Sequence, residues 1–341
     1  MNSWRANVPL APRTTLEVGG EAEYFFEAWT TKQLRDALQE ARHHNLPVTV
    51  LGGGSNVLIA DAGLRGLVLS FVQDEIDVEG SQVRVSAGTS WDVLVEFCVS
   101  RGLAGLECLS GIPGRVGAAP IQNIGAYGRD VSEAIERVEV LDRSSLETRS
   151  FECADCQFSY RSSAFKTAWR DRYIVTALHL RLESGGTPEL RYRDLLGAFG
   201  TRTPPIRDVR ETVLEIRARK SMVWNSSDPN HRSAGSFFVN PIVAPQVADR
   251  IDDAAGTRAP RFPTASRDVK LPAAWLIERA GFHKGLIRGN AGISSAHALA
   301  LINRGEARAS EIVSLAREIQ DAVHTKFGVE LRPEPVWLGF D

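Results

Sequence analysis

The spacing of apolar and polar residues predicts alternating strands and helices near the start of the chain. Apolar-rich runs at residues 23–29 and 47–51 are typical of strands. Residues 31–42 between them have the periodicity of an amphipathic helix with a threonine at its start. The strand at 47–51 leads directly into a glycine-rich turn, and a further apolar run follows at 67–70. This pattern predicts a β-α-β unit.

The same alternation continues along the chain and places it in the α+β class. Further strands are predicted at residues 83–87, 135–141 and 173–182. Further helices are predicted at residues 91–100, 208–219, 271–280, 295–304 and 309–327. The polar segment 224–233 marks a domain boundary or a functional loop, and residues 329–339 look extended.

Composition and charge exclude several functions. With 341 residues the chain is long enough for about two or three domains, and its formal net charge of −2 indicates no basic stripe for nucleic acid. No apolar run reaches the length of a membrane span, and the first residues have no apolar signal core. We therefore expect a cytoplasmic protein that binds neither nucleic acid nor membrane.

The cysteines indicate neither a metal site nor a disulfide framework. Cys153 and Cys156 have C-x-x-C spacing, but a structural zinc site would need a second pair of ligands at metal spacing. A redox dithiol would need a thioredoxin-like context, which the surrounding sequence lacks. We expect these two cysteines, together with Cys98 and Cys108, to be unpaired thiols in a reducing compartment.

Two glycine-rich loops carry the candidate chemistry: the first glycine-rich loop, residues 51–58, and the second, residues 110–128. Neither has the G-x-G-x-x-G spacing of a Rossmann turn or the Gly-Lys-Ser/Thr of a Walker loop. They could be tight turns that need positive φ, or cradles of backbone amides for a phosphorylated cofactor held at two points. Side chains able to add hydrogen bonds favour the second interpretation: Ser55, Asn56, Gln122 and Asn123.

Five motifs in a fixed order resemble one enzyme family, the UDP-N-acetylenolpyruvoylglucosamine reductases, over nearly the whole chain. The motifs are residues 51–58, 110–128, 160–166, 234–241 and 331–334. The second glycine-rich loop and the Ala-Gly-Ser-Phe-Phe segment at 234–238 are the most specific.

The chain departs from the family pattern at two places. Thr14-Thr15-Leu16 stands where the family has Asn-Thr-Phe, and the stretch between Lys220 and residue 234 is longer than in compact members.

The resemblance implies three α+β domains, with non-covalent FAD bound in the manner of vanillyl-alcohol-oxidase flavoproteins. Residues 1–70 and 71–218 would be the two FAD-binding subdomains, the second joined by residues 325–341, and residues 219–324 would bind substrate. The implied FAD contacts are Gly52, Gly53, Gly54, Ser55, Asn56, Ser110, Gly111, Pro113, Gly114, Gly117, Ala118, Gln122, Asn123, Gly125, Ala126, Tyr127 and Arg217.

The implied reaction is reduction of an enolpyruvyl ether by NADPH through FAD, which needs a cation at the substrate carboxylate and a proton donor. Arg161 suits the carboxylate, although it could be a surface arginine in a serine-rich turn. Ser236 suits proton donation, although it could cap a helix. Glu334, between two prolines, could polarise the carboxylate or orient the donor, or be a solvated acid.

The family's substrate contacts fall on Tyr192, Lys220, Asn240 and His297, where Tyr192 belongs to the subtype whose tyrosine loop covers the diphosphate. His297 could instead be an exposed polar residue on its predicted helix. Arg217 and Lys220 could form a solvated basic helix end.

The resemblance also implies a monomer in which NADPH and the UDP-sugar use one cleft in turn. Two other functions stay open: another FAD enzyme of this fold acting on an alcohol or sugar, and a binding module without catalysis.

Overall fold

The computed structural model describes residues 3–264 and 266–340, which cluster by their contacts into two compact units. Among these residues, the first unit comprises 3–8, 22–54 and 65–223. The second comprises 9–21, 55–64 and 224–340. No helix in the described ranges is both long enough and apolar enough to cross a membrane.

The α-helices of the described residues lie in both units. They are α1 (Thr31–His43), α2 (Trp91–Ser100), α3 (Arg193–Phe199), α4 (Ile206–Arg219), α5 (Pro245–Ala255), α6 (Ala273–Arg279) and α7 (Ala309–Phe327).

The strands are mostly short. They are β1 (Arg5–Pro9), β2 (Glu21–Ala28), β3 (Val48–Val50), β4 (Val57–Ile59), β5 (Leu64–Phe71), β6 (Ile76–Glu79), β7 (Gln82–Ser86), β8 (Leu103–Ala104), β9 (Gly125–Ala126), β10 (Arg129–Asp130), β11 (Ile135–Asp142), β12 (Thr148–Glu152), β13 (Tyr173–Arg181), β14 (Glu183–Ser184), β15 (Ile242–Val243), β16 (Phe262–Pro263), β17 (Val269–Lys270), β18 (Ile287–Arg288), β19 (Ala291–Ile293), β20 (Leu301–Asn303) and β21 (Val336–Leu338).

The first unit is built on two sheets. One has the order β1-β2-β5-β3, and the other is an antiparallel sheet of order β12-β11-β13-β7-β6. Helix α1 begins at the N-cap Thr30, whose side chain accepts a hydrogen bond from Gln33 N–H, and it buries Leu34 and Leu38 in the core. Burial of each such leucine contributes about 1.5–3 kcal/mol.

The second unit packs α7 and the β18-β19-β20 sheet around an apolar core that includes the buried Phe237 and Phe238. Strand β21 pairs in parallel with β4. Asp61 accepts hydrogen bonds from Ala309 N–H at 2.7 Å and Ser310 N–H at 3.1 Å, which fastens the start of α7. Burial opposes ionisation of Asp61, but hydrogen bonds from Ser310 and Ala309 outweigh it and lower the pKa.

The α+β class is confirmed, and helices α2 and α7 have the predicted bounds. Helices α3 and α5 were not predicted. The division of the first unit near residue 70 stays a prediction. Residues 325–340, which the sequence assigned to the second FAD-binding subdomain, cluster with the second unit because β21 pairs with β4.

The helix predicted at residues 295–304 is wrong. This segment forms a turn followed by β20, which pairs with β19. The side chain of Asn230 accepts a hydrogen bond from Ser295 N–H at 3.0 Å and holds the turn. Strand pairing and this bond therefore override the helix propensity of an alanine-rich stretch.

Candidate active site and cofactor site

Residues 51–54 of the first glycine-rich loop approach the second glycine-rich loop closely in the first unit. A Cβ placed on Gly53 would lie 2.8 Å from the Cα of Gly114, so only glycine fits at position 53 without displacing backbone. A Cβ on Gly52 would meet Ala118 Cβ at 3.9 Å. The structure thus brings together two loops that the sequence assigned to one cofactor.

The second glycine-rich loop is hydrogen-bonded to the residues that precede α2. Val116 N–H donates to Thr89 O at 2.9 Å, and Gly117 N–H donates to Ala87 O at 2.9 Å. A Cβ on Gly117 would lie 2.7 Å from Ala87 Cβ. The Gly117 amide is therefore occupied within the protein, and the predicted cofactor contact of Gly117 stays a prediction.

Asn123 fastens the second loop from inside the protein. It is 2% exposed; its Oδ1 accepts from Ser132 N–H at 3.1 Å and its Nδ2 donates to Ser159 O at 3.2 Å. Ser110 is also buried and donates its hydroxyl to Glu107 O at 2.7 Å. These two side chains support the loop. The predicted cofactor contacts of Ser110, Pro113, Gln122, Asn123 and Ala126 stay predictions.

Arg161 lies against the same loop. It has a φ of +53°, a strained conformation for an arginine, and its side chain is 19% exposed. Its guanidinium donates to the carbonyl of Gly125 and, at 3.4 Å, to Asn123 O and Asp130 Oδ1. The interpretation of Arg161 as a solvated surface residue is therefore wrong.

Arg217 is a buried cation beside Gly111 of the second glycine-rich loop. It is 6% exposed, its Nη2 donates to Met222 O at 2.8 Å, and burial lowers its pKa. Its buried Nε has no hydrogen-bond partner among the described residues. A buried donor left unpaired beside a glycine-rich loop fits a cofactor that supplies an acceptor there, as flavin N1 and C2=O would.

Tyr127, Tyr192 and Lys220 form a second group in this unit. The tyrosine rings pack edge to face with centroids 5.3 Å apart, and burial raises the pKa of Tyr127 to about 12. Lys220 Nζ lies 6.0 Å from the Tyr127 ring centroid and 3.2 Å from Asp194 Oδ2. Lys220 is therefore held by an acidic partner, which the sequence did not reveal.

In the second unit, Ser236 Oγ lies 3.5 Å from His297 Nε2. No helix begins at Ser236, so its interpretation as a helix cap is wrong. His297 lies in the turn between β19 and β20, and not on a helix. The Oδ1 of Asn240 accepts a hydrogen bond from Ala273 N–H at 2.9 Å, at the start of α6.

Glu334 is fixed next to this serine through its backbone. Its N–H donates to Phe237 O at 2.8 Å, and its carbonyl accepts a hydrogen bond from Asn56 Nδ2 at 3.3 Å. Val336 N–H donates to Asn56 O at 3.0 Å. The second unit thus gathers Ser236, Glu334 and Asn56 from three distant stretches of the chain.

The four cysteines are free thiols. Burial raises the pKa of Cys156 to about 12, and the Cys153 thiol donates to Ser132 O at 3.6 Å. Within the described ranges, no group of three or more His, Cys, Asp and Glu side chains could hold a metal ion.

Comparison with protein families defines the class as an FAD-dependent oxidoreductase. Residues 22–146 match the family described as an FAD binding domain. Residues 228–338 match the family described as UDP-N-acetylenolpyruvoylglucosamine reductase, C-terminal domain.

Relatives that align with nearly the whole chain narrow this class to one reductase family. A UDP-N-acetylenolpyruvoylglucosamine reductase of Thermobifida fusca is 44% identical over 99% of this chain and 98% of the relative. One of Mycobacterium marinum is 45% identical over 98% of this chain and 94% of the relative. The crystal structure of the Thermus caldophilus reductase is similar with a TM-score of 0.69 and 28% identity, covering 98% of this chain and 99% of that chain.

This chain belongs to the UDP-N-acetylenolpyruvoylglucosamine reductase family. The predicted family, fold class, enzyme class and FAD cofactor are thereby confirmed. The roles assigned to individual residues stay predictions, and the contacts above are what supports them.

Proposed function

We propose how residues of this chain carry out the reaction of its family. The enzyme reduces UDP-N-acetylglucosamine enolpyruvate to UDP-N-acetylmuramate in peptidoglycan precursor synthesis, with NADPH as the hydride source. Bound FAD would supply the hydride-transfer chemistry between NADPH and the terminal vinyl carbon of the substrate. Oxidation of an alcohol or sugar by another flavoprotein of this fold is not favoured, since the full-length relatives are named as this reductase.

FAD would be held without a covalent bond by the two glycine-rich loops and Arg217. Two observations support this assignment: the close approach of Gly53 to Gly114, and the position beside Gly111 of Arg217 Nε, which has no partner among the described residues. Small residues allow a cofactor to approach the backbone, and a buried guanidinium supplies positive charge.

Arg161 would stabilise the charge that develops on the substrate. Reduction of the vinyl carbon places negative charge on the adjacent carbon and the carboxylate. A half-buried guanidinium stabilises such charge more than a solvated one, because the local dielectric is lower. Its packing on Gly125 and Asn123 holds Arg161 beside the second glycine-rich loop, and this contact is the observation that carries the catalytic assignment.

Ser236 would give a proton to the adjacent carbon, and Glu334 would orient or assist that donor. Ser236 follows Gly235 in irregular backbone, so its hydroxyl does not cap a helix. The backbone bond between Glu334 N–H and Phe237 O supports this pairing, because it joins Glu334 to the residue that follows Ser236. General acid catalysis of this kind contributes about 10²–10⁴-fold to the rate.

Lys220 and Tyr192 would bind the substrate diphosphate, and Asn240 and His297 would bind other polar groups of the UDP-sugar. Their grouping around Tyr127 supports a shared role for Lys220 and Tyr192. We also propose that NADPH and the UDP-sugar use one cleft in turn and that the enzyme is a cytoplasmic monomer. Competitive inhibition of each substrate by the other tests the shared cleft. The sedimentation coefficient tests the monomer.

An anaerobic two-step assay tests the function. NADPH is added to the yellow protein until the flavin absorbance near 450 nm bleaches, and the enolpyruvyl sugar is then added. The absorbance should return with one UDP-N-acetylmuramate formed per flavin. A protein that bleaches but is not reoxidised by this sugar would be a flavoprotein of a different function.

A further inference from the structure

The start of α2 binds the second glycine-rich loop at several points. Trp91 N–H donates to Gly114 O at 3.0 Å, and the buried indole Nε1 of Trp91 donates to Leu109 O at 3.0 Å. The next residue, Asp92, accepts a hydrogen bond from Gly111 N–H at 2.6 Å through Oδ1. The position of the loop is thus set by the first turn of this helix.

The Asp92 carboxylate also binds helix α4. Arg210 Nη1 donates to Oδ1 at 2.6 Å and Nη2 donates to Oδ2 at 2.9 Å, which is a bidentate pair. The Arg210 side chain is 11% exposed, so solvent screens this pair less than a surface pair. Burial opposes ionisation of Asp92, but the hydrogen bonds from Arg210 and Gly111 prevail and lower its pKa.

Arg217 shares a face of α4 with Arg210, because seven residues are about two helical turns. A Cβ on Gly111 would lie 3.2 Å from Arg217 Nε, which is the buried donor without a partner among the described residues. One carboxylate therefore holds both the loop residue beside Arg217 and the helix that carries Arg217.

We propose that Asp92 is a positioning residue for FAD: it fastens Gly111 to α4 through Arg210 and so fixes Arg217 Nε where the flavin needs a donor. A carboxylate suits this position because Oδ1 accepts from Gly111 N–H and Arg210 Nη1 while Oδ2 accepts from Arg210 Nη2. The proposal rests on FAD binding by this chain and not on the reduction of a UDP-sugar.

The test compares holoenzyme variants for their affinity for FAD. Stepwise dilution, with the fluorescence of released FAD as the readout, gives the dissociation constant. Asp92→Ala removes the interactions with both Gly111 and Arg210 and should raise the FAD Kd about 10–100-fold, the range expected for a charged hydrogen bond.

Asp92→Asn keeps an oxygen acceptor and the side-chain shape, so it should fold and raise the FAD Kd less than Asp92→Ala does. Arg210→Ala, which leaves the bond to Gly111, should also raise Kd less than Asp92→Ala.

Arg261→Ala is the matched control, since Arg261 forms a pair with Asp252 at 2.6 Å in the second unit. It should lower the thermal midpoint while leaving the FAD Kd and the visible circular dichroism of the bound flavin unchanged. The Asp92 variants should change both flavin readouts. If they lowered only the thermal midpoint, as the control does, Asp92 would be a structural residue and the proposal would be wrong.

Loss of the sugar reductase reaction in wild type would not affect this outcome, because the readouts report FAD alone. A wild-type protein that binds FAD but does not reduce the UDP-sugar would overturn the proposed function and leave this test intact.

Discussion

The Oγ atom of Ser236 lies 3.5 Å from the Nε2 atom of His297. His297 lies in the turn that joins the short strands β19 and β20 of the second unit. The two residues are 61 positions apart in the sequence. A hydrogen bond of this length is weak. We expect His297 to influence proton donation by Ser236, besides its proposed contact with substrate.

Replacing His297 with glutamine should have a small effect, because glutamine keeps a hydrogen-bonding group at this position. Complete loss of one neutral hydrogen bond would cost about 0.5–1.5 kcal/mol, so reoxidation of the flavin by the sugar should slow by no more than about 2–10-fold. Stopped-flow absorbance measures this step separately from bleaching by NADPH. An equal slowing of both steps would show that His297 acts on the fold and not on Ser236.

Lys220→Ala should weaken binding of the UDP-sugar and leave FAD in place. Loss of a charged hydrogen bond to the diphosphate should raise the KM for the sugar about 10–100-fold. Asp194→Asn is the matched variant: it frees Lys220 from its acidic partner 3.2 Å away and should lower the same KM. A Lys220→Ala protein that purifies without yellow colour would place this lysine at the flavin instead.

FAD should leave the protein completely on acid precipitation, since the proposed contacts are hydrogen bonds to two loops and Arg217. Absorbance at 450 nm of supernatant and pellet measures the partition. Yellow colour that stays with the pellet would demonstrate a covalent link and contradict the assignment.

Asp61→Ala should destabilise the second unit by about 0.5–2 kcal/mol at pH 7, because Asp61 caps α7 through Ala309 and Ser310. The folded-state pKa of Asp61 is lowered, so the ionised form stabilises the fold above its usual pKa near 4. This contribution is lost as the pH falls through the lower folded-state pKa. Urea unfolding at pH 7 and pH 3 should therefore show a smaller difference in the free energy of unfolding between wild type and variant at pH 3.

Asp36→Ala, at an exposed pair with Lys32, is the control with little effect on that free energy at either pH.

The sequence identified the family, the α+β class and the glycine-rich loops, because these depend on local periodicity and on contiguous motifs. It also selected Arg161, whose half-buried side chain on the second loop supports the assignment. It failed at residues 295–304, where an alanine-rich segment is held as a turn and strand by Asn230 and β19. Pairing partners distant in sequence leave no local signal.

The same reason explains why the contacts of Asp92, Asp194 and Arg210 were not predicted. Each is an ordinary charged residue on a helix, and only the fold brings Asp92 to Gly111 or Asp194 to Lys220. The sequence could not show which amides of the second loop are already bonded within the protein.

The rate of flavin reoxidation by the enolpyruvyl sugar in Ser236→Ala tests the central claim most directly. Bleaching by NADPH requires no proton at the substrate carbon, so it should stay near the wild-type rate. Reoxidation should slow by about 10²–10⁴-fold, and Ser236→Cys should recover part of that loss because a thiol also donates a proton. If Ser236→Ala reoxidised at the wild-type rate, or slowed both steps equally, Ser236 would not be the proton donor.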